Sequence, residues 1–224
     1  MTSCSECSQC LQSKNNIKPG IAILGNMNVG KSTLFSRICS SKSEGVNFPG
    51  NTVTIETSLI KGTNKYAFDT PGIFSIFSNS EDVRASRSIL LSDEDYKIEG
   101  ILLVADAKTM KRSISLALQF AEYGLPMFLD INMIDEASPR GIKIDKEKLS
   151  SILNINFCST VAREGIGISK VVDGISKMQL PEKLITYPDW VENFLSIVSK
   201  LLKNSYISPR AIGLLLLAED LDIE

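Results

Sequence analysis

A chain of 224 residues holds one domain of ordinary size with room for a small addition. Hydrophobic residues at 43% and charged residues at 22% give the balance of a globular protein and exclude a disordered one. The net charge of −2, with both signs interleaved, implies no basic face, so nucleic acid is not an expected partner. The sequence contains no histidine, which rules out histidine-based zinc sites and Ser-His-Asp triads. No apolar run approaches the roughly 18 to 20 residues that span a bilayer. The longest, Ile101–Ala105 and Ala211–Ala218, are far too short, so no transmembrane segment is expected. The N-terminus is polar and does not read as a signal peptide, which points to the cytosol.

Residues 1–18 read as a flexible tail carrying Cys4, Cys7 and Cys10 at C-x-x-C-x-x-C spacing. From Ile21 onward, short apolar runs alternate with longer helical patterns. That alternation is the signal of an α/β fold with a mainly parallel central sheet flanked by helices. Ile21–Leu24 is the first strand, followed by a glycine-rich turn and a helix from Lys31 to about Cys39. Val53–Ile60 and Lys65–Asp69 read as strands of a hairpin turning at Gly62-Thr63-Asn64. Ile98–Asp106 is a buried strand, and Ser113–Tyr123 a helix closed by Gly124. Pro126–Asn132 and Ile155–Ser159 are strands around a helix, Lys146–Leu153, capped by Asp145. Ile168–Met178 closes this unit, which spans 19–181. In 182–224, Asp189–Lys203 and Ser208–Asp222 read as two helices, with Pro209 in the favoured first turn of the second. Two helices make a poor core alone. They either pack on the first domain or begin a longer helical unit.

Gly25-Asn26-Met27-Asn28-Val29-Gly30-Lys31-Ser32 fits G-x-x-x-x-G-K-[ST] between a strand and a helix. Glycines let the backbone wrap close to phosphates, and successive N–H groups and the helix N-terminus point at the anion. Lys31 reaches the β- and γ-phosphates, the Ser32 hydroxyl suits Mg²⁺, and Thr33 follows in the same turn. The loop does not separate GTP from ATP.

Asn132-Met133-Ile134-Asp135 makes that distinction. It follows a strand at the end where ligands bind in open α/β sheets. The Asp135 carboxylate can accept two hydrogen bonds from the guanine ring N–H and amine, a pair that adenine lacks, while Asn132 braces the loops. Asp69-Thr70-Pro71-Gly72 supplies a carboxylate for Mg²⁺ through water and a Gly72 N–H for the γ-phosphate. Thr52 offers a second hydroxyl to Mg²⁺, and the backbone of Thr160, Val161 and Ala162 is placed for the guanine edge. Each element taken alone also reads as an ordinary turn, cap or strand start.

In this order, GNMNVGKSTLF, NFPGNTV, DTPGIFS and NMID resemble the cytosolic GTPase domain of the ferrous iron transport protein B (FeoB) family. The stretch Asp106-Ala107-Lys108 to Arg112-Ser113-Ile114 adds to the likeness, which covers roughly Ile21–Lys177. The resemblance implies a P-loop NTPase fold of the Ras-like G-domain type and a GTPase switch linked to ferrous iron uptake. It also implies K⁺ at Asn28, acting as an added positive charge against the phosphates. The tail Tyr187–Glu224 resembles the start of that family's helical spacer. The spacer is expected to be partial and the membrane transporter to lie outside this sequence; a chain that is complete as given would conduct no iron alone. The implied partner is a membrane-embedded iron transporter domain or subunit at the cytoplasmic face of the inner membrane; a homo-oligomer stays open.

Where Ras-type enzymes place a water-orienting Gln, this chain has Ile73 and Phe74, so slow turnover is expected, well below the ~1–100 s⁻¹ of kinases. Asn79, Glu81 and Asp82 lie nearby without one standing out. Cys4, Cys7 and Cys10 offer three soft ligands for iron, zinc or a cluster, and equally read as a reduced tail. Two rival functions share the motif set: a non-catalytic GTP-binding module, and an RNA-associated GTPase that the charge pattern disfavours.

Overall fold

The computed structural model describes residues 17–47, 53–78, 80–91, 96–182, 185–202, 205 and 207–219. Seven strands form one sheet: β1 Lys18–Gly25, β2 Glu44–Asn47, β3 Thr54–Leu59, β4 Tyr66–Asp69, β5 Tyr96–Asp106, β6 Met127–Asn132 and β7 Asn156–Ser159. Their order is β2-β3-β4-β1-β5-β6-β7. β2, β3 and β4 pair antiparallel, and every other pairing is parallel. The helices are α1 Lys31–Ile38, α2 Glu81–Leu91, α3 Met110–Ala121, α4 Lys146–Leu153, α5 Ile168–Ile175, α6 Asp189–Leu201 and α7 Pro209–Leu217. A single helical turn, Ile134–Ala137, follows β6.

The central strands β1, β5 and β6 are apolar without a break over much of their length, as burial on both faces requires. One face presents Leu24, Leu103 and Leu129 to α2, α3, α4 and α7. The opposite face presents Ile23, Val104 and Phe128 to α1 and α5. Parallel register then brings the strand ends together: Gly25 lies beside Val104, Asp106 beside Asn132, and Ile131 beside Ser159. The loops leaving that edge carry the motifs.

Several elements differ from the sequence reading. β1 begins at Lys18, three residues early, and β5 at Tyr96, because pairing between these two strands continues past the fully apolar stretch. α3 begins at Met110 rather than Ser113, led in by a 3₁₀ turn over Ala107–Thr109 that the Asp106 side chain caps through the Lys108 N–H. β2 and α2 had no counterpart in the reading. β2 is a four-residue edge strand with mostly exposed side chains, so it carries no alternation to read. α2 has a mixed polar surface, yet buries Val83, Ile89 and Leu90. The hairpin β3–β4, the Asp145 cap of α4 and Pro209 at the start of α7 are as read.

α7 packs on the first unit rather than standing apart. Ile207, Ala211 and Leu215 enter the larger core. The Ser208 N–H donates to the Tyr123 carbonyl at 2.9 Å, just beyond the end of α3. Arg210 clamps Glu122 at 2.5 Å and Glu192 of α6 at 2.6 Å. A small cluster of Val191, Leu195 and Leu214 joins α6 to α7.

Candidate functional site

The loop from Gly25 to Gly30 sits between β1 and the N-terminus of α1. Gly30 precedes the helix with φ +93°, a left-handed conformation that favours glycine, and a side chain there would meet the Asn132 amide. Asn28 is also left-handed at φ 61°, and its side chain is exposed. The Lys31 side chain is buried, and its ammonium donates to the carbonyls of Asn26 at 2.9 Å and Gly25 at 3.3 Å. Burial pulls its pKa below the ordinary lysine value, while the charges of Asp69 and Asp82 act against that shift.

The Asp69–Gly72 segment lies against this loop. The Ile73 N–H donates to the Gly25 carbonyl at 3.1 Å, and a Cβ on Gly72 would fall 2.6 Å from the Met27 Cα, so only glycine fits. The Thr70 hydroxyl donates to the Ile23 carbonyl at 2.7 Å. Asp69 Oδ1 is buried with no hydrogen-bond partner. Burial raises its pKa; the hydrogen bond from Ser32 and the charge of Lys31 lower it, and Glu56 adds to the rise. A buried, unpartnered carboxylate oxygen beside a serine hydroxyl is a hard oxygen donor set, and it fits a magnesium ion. Thr52, the second hydroxyl of the expected set, lies outside the described residues, as do Asn79 and Cys4, Cys7 and Cys10. Among the described residues, no group of three or more His, Cys, Asp or Glu side chains could hold a metal ion.

Asn26 differs from its neighbours in the loop. Its amide donates to the Ile73 carbonyl at 3.0 Å and accepts from the Ser113 hydroxyl at 3.1 Å. The side chain therefore ties the loop to Ile73, just after the Asp69–Gly72 segment, and to α3.

At the other end of the site, Gly30, Thr33, Asn132, Met133, Asp135 and Val161 surround a pocket of about 150 Å³, with Glu136, Ala162 and Arg163 completing its wall. The left-handed Met133, φ 60°, turns the chain out of β6 into the short helical turn that carries Asp135. Asp135 lies 3.9 Å from Arg163, an exposed and hence weak pairing. Thr160 does not line the pocket. It is fully buried beneath it, its N–H donating to Ile131 and its carbonyl accepting from Ile134. The Ala162 N–H is held by the Asn132 side chain at 2.9 Å.

Two features went unread in the sequence. Lys108 pairs with Glu136 at 2.6 Å and Asp106 at 3.3 Å behind the pocket. Asp130 is fully buried in β6; its carboxylate accepts from Thr160 at 2.8 Å and from the Cys158 thiol at 3.6 Å. The signal for Asp130 was available: one charge within the otherwise apolar strand Met127-Phe128-Leu129-Asp130-Ile131. The thiols of Cys39 and Cys158 are buried.

A phosphate-type loop after the central parallel strand, a carboxylate at the end of β4 and an N-x-x-D turn beside a pocket define a P-loop NTPase fold of the G-domain kind. A family model described as ferrous iron transport protein B matches residues 20–175. The Fe(2+) transporter FeoB of Staphylococcus aureus (strain N315) is 34% identical over 173 residues, covering 76% of this chain and 26% of the relative. That of Synechocystis sp. is 31% identical over 167 residues, covering 74% and 27%. Among solved structures, a mutant of S. thermophilus NFeoB bound to GDP superposes with TM-score 0.76 at 31% identity, covering 92% of this chain and 81% of that one. The cytosolic domain of the T. maritima FeoB iron transporter in GMPPNP form gives TM-score 0.77 at 29% identity, covering 91% and 82%. The chain belongs to the ferrous iron transport protein B family. It spans about a quarter of the length of the curated relatives it matches, and among the described residues no helix is long and apolar enough to cross a membrane.

Proposed function

We propose that this chain is a GTP-binding and GTP-hydrolysing switch domain that regulates ferrous iron uptake across the membrane. The observation that carries the reading is the position of Asp135 on the wall of a base-sized pocket, which opens beside the phosphate-type loop at Gly30 and Thr33. Asp135 accepts from the guanine N–H and amine. Asn132 braces the pocket, while Met133, Val161 and Ala162 wall it and Thr160 supports it from below. Backbone N–H groups of Asn26, Asn28, Val29, Gly30, Lys31, Ser32 and Thr33 take the phosphates at the helix N-terminus. Lys31 turns from the Gly25 and Asn26 carbonyls to the β- and γ-phosphates.

Ser32, Thr52 and, through water, Asp69 would hold Mg²⁺; the unpartnered Asp69 oxygen supports that assignment. Bound there, the ion supplies positive charge against the β- and γ-phosphates. The exposed Asn28 amide, an oxygen donor on the rim of the loop, would hold K⁺. Gly72 meets the γ-phosphate through its N–H. Ile73 is buried and Phe74 is 56% exposed, and neither can orient water. Backbone groups near Thr52 and Gly72, or a partner, take that role, and intrinsic turnover is slow.

In this reading 19–181 is the GTPase unit and the helices that follow it belong to a helical spacer. The unit acts at the cytoplasmic face of the inner membrane on an iron transporter domain or subunit. Phosphate release from GTP, measured in K⁺ and in Na⁺ buffers, tests it. Slow release that K⁺ accelerates is expected. No release in either buffer, with GTP still bound, assigns the chain instead to a non-catalytic GTP-binding module.

A further inference from the structure

The Thr160 hydroxyl stands among three oxygens. It lies 2.8 and 3.0 Å from the two carboxylate oxygens of Asp130 and 3.2 Å from Asn132 Oδ1. A hydroxyl has one proton to donate. It cannot serve both the carboxylate and the amide oxygen. Asn132 is the side chain that spans the site: its Nδ2 donates to Val29 of the phosphate-type loop at 2.9 Å, and its Oδ1 accepts from the Ala162 N–H.

We propose that Asp130 is a positioning residue for the nucleotide, whose protonation decides through Thr160 whether Asn132 is fully hydrogen-bonded. This inference rests on the nucleotide-binding reading above. When Asp130 carries a proton, its O–H donates to Thr160 Oγ, and the Thr160 proton is free for Asn132 Oδ1. When that proton leaves to solvent, the carboxylate captures the Thr160 O–H, because a charged acceptor outcompetes a neutral one. Thr160 Oγ and Asn132 Oδ1 then face each other with no proton between them. The brace across the phosphate loop and the pocket loosens, and the nucleotide is held less tightly.

The surroundings favour a titration in the working range. Asp130 is completely buried, and burial pushes its carboxyl up to about 7 despite the opposing hydrogen bonds from Thr160 and Cys158. On that face of the sheet β7 contributes Cys158, in contact with the carboxyl. α5 contributes Lys170, whose charge acts on Cys158 and which lines a surface groove there with Asp173 and Lys177. β5 and α1 contribute the apolar Val104, Leu34 and Phe35.

The test is the dissociation constant of Mg-GDP between pH 6 and pH 8 for the wild-type chain and for Asp130→Asn, Thr160→Val and Thr160→Ser. Titration of the GDP phosphate itself is common to all four and cancels in their ratios. The ratio of wild type to Asp130→Asn is expected to rise about three- to tenfold across this range, the effect of one neutral hydrogen bond. Thr160→Ser keeps the rise and Thr160→Val abolishes it. A ratio flat with pH overturns the proposal. A second readout needs no nucleotide and no variant: by NMR of the wild-type chain, the Asn132 side-chain amide shifts with the Asp130 carboxyl titration. If Asp130 titrates while Asn132 does not respond, the proposal fails. If no chain binds GDP at any pH, the nucleotide reading fails, and the NMR titration still decides the coupling between the two side chains.

Discussion

Asn132 joins two loops that are far apart in the chain: its amide donates to the Val29 carbonyl at 2.9 Å, across 103 positions of sequence. The same side chain accepts from Ala162. Both bonds are buried, so Asn132→Ala leaves a carbonyl and an N–H unpaired in the interior. The expected cost is about 2–4 kcal/mol of stability, or roughly 4–16 °C in Tm. GDP affinity falls by about tenfold or more. Thermal unfolding and GDP titration of the variant check both.

Asp135→Asn changes which base fits. An amide presents one donor and one acceptor where the carboxylate presents two acceptors. Guanine loses two charge-assisted bonds and its nucleotide binds about 100-fold more weakly. Xanthine carries a carbonyl in place of the guanine amine and is accepted instead. Competition between GDP and xanthosine diphosphate measures the reversal.

The legible parts of this chain were those in which local chemistry and fold agree. Gly25 and Gly30 are legible because the backbone path itself demands glycine, as the left-handed Gly30 shows. The apolar runs of β1, β5 and β6 announced buried parallel strands. β2 stayed hidden because an exposed edge strand needs no pattern. Asn26 is legible only as a member of the phosphate-type loop; the partners of its side chain, Ile73 and Ser113, lie 47 and 87 positions away and leave no local signal. Asp130 was visible only as an odd charge; its partners Cys158 and Thr160 come from a strand end that only the sheet register brings alongside.

Asp130 should also mark the pH dependence of stability. Its folded-state pKa is raised, to about 7, above the unfolded value of about 4. The folded chain therefore holds a proton that the unfolded chain releases. The stabilisation is fully present below the unfolded pKa, declines as pH rises, and is gone above the folded pKa. The difference in unfolding free energy between wild type and Asp130→Asn should fall between about pH 4 and pH 7 and stay level above about pH 7.5. Urea unfolding at a series of pH values measures it; a difference independent of pH from 4 to 7 contradicts the assignment.

Arg210→Ala breaks the clamp that ties α7 to Glu122 and Glu192. The Glu122 side chain is 2% exposed and keeps its charge buried when the arginine is gone. The cost is expected at about 2–3 kcal/mol, below the ~3–5 kcal/mol of a fully buried pair because Glu192 is partly solvated. The one tryptophan, Trp190, lies on α6 and reports the loss locally. In the variant its fluorescence transition should precede the loss of helical circular dichroism; in the wild type the two should coincide.

The central claim is tested most directly by calorimetric titration of the chain with GTP and with ATP, in Mg²⁺ and K⁺ buffer. The account predicts saturable one-to-one binding of GTP, at least 100-fold weaker binding of ATP, and loss of GTP binding in Lys31→Ala. Equal affinity for ATP, or no binding of GTP by a folded chain, would contradict it.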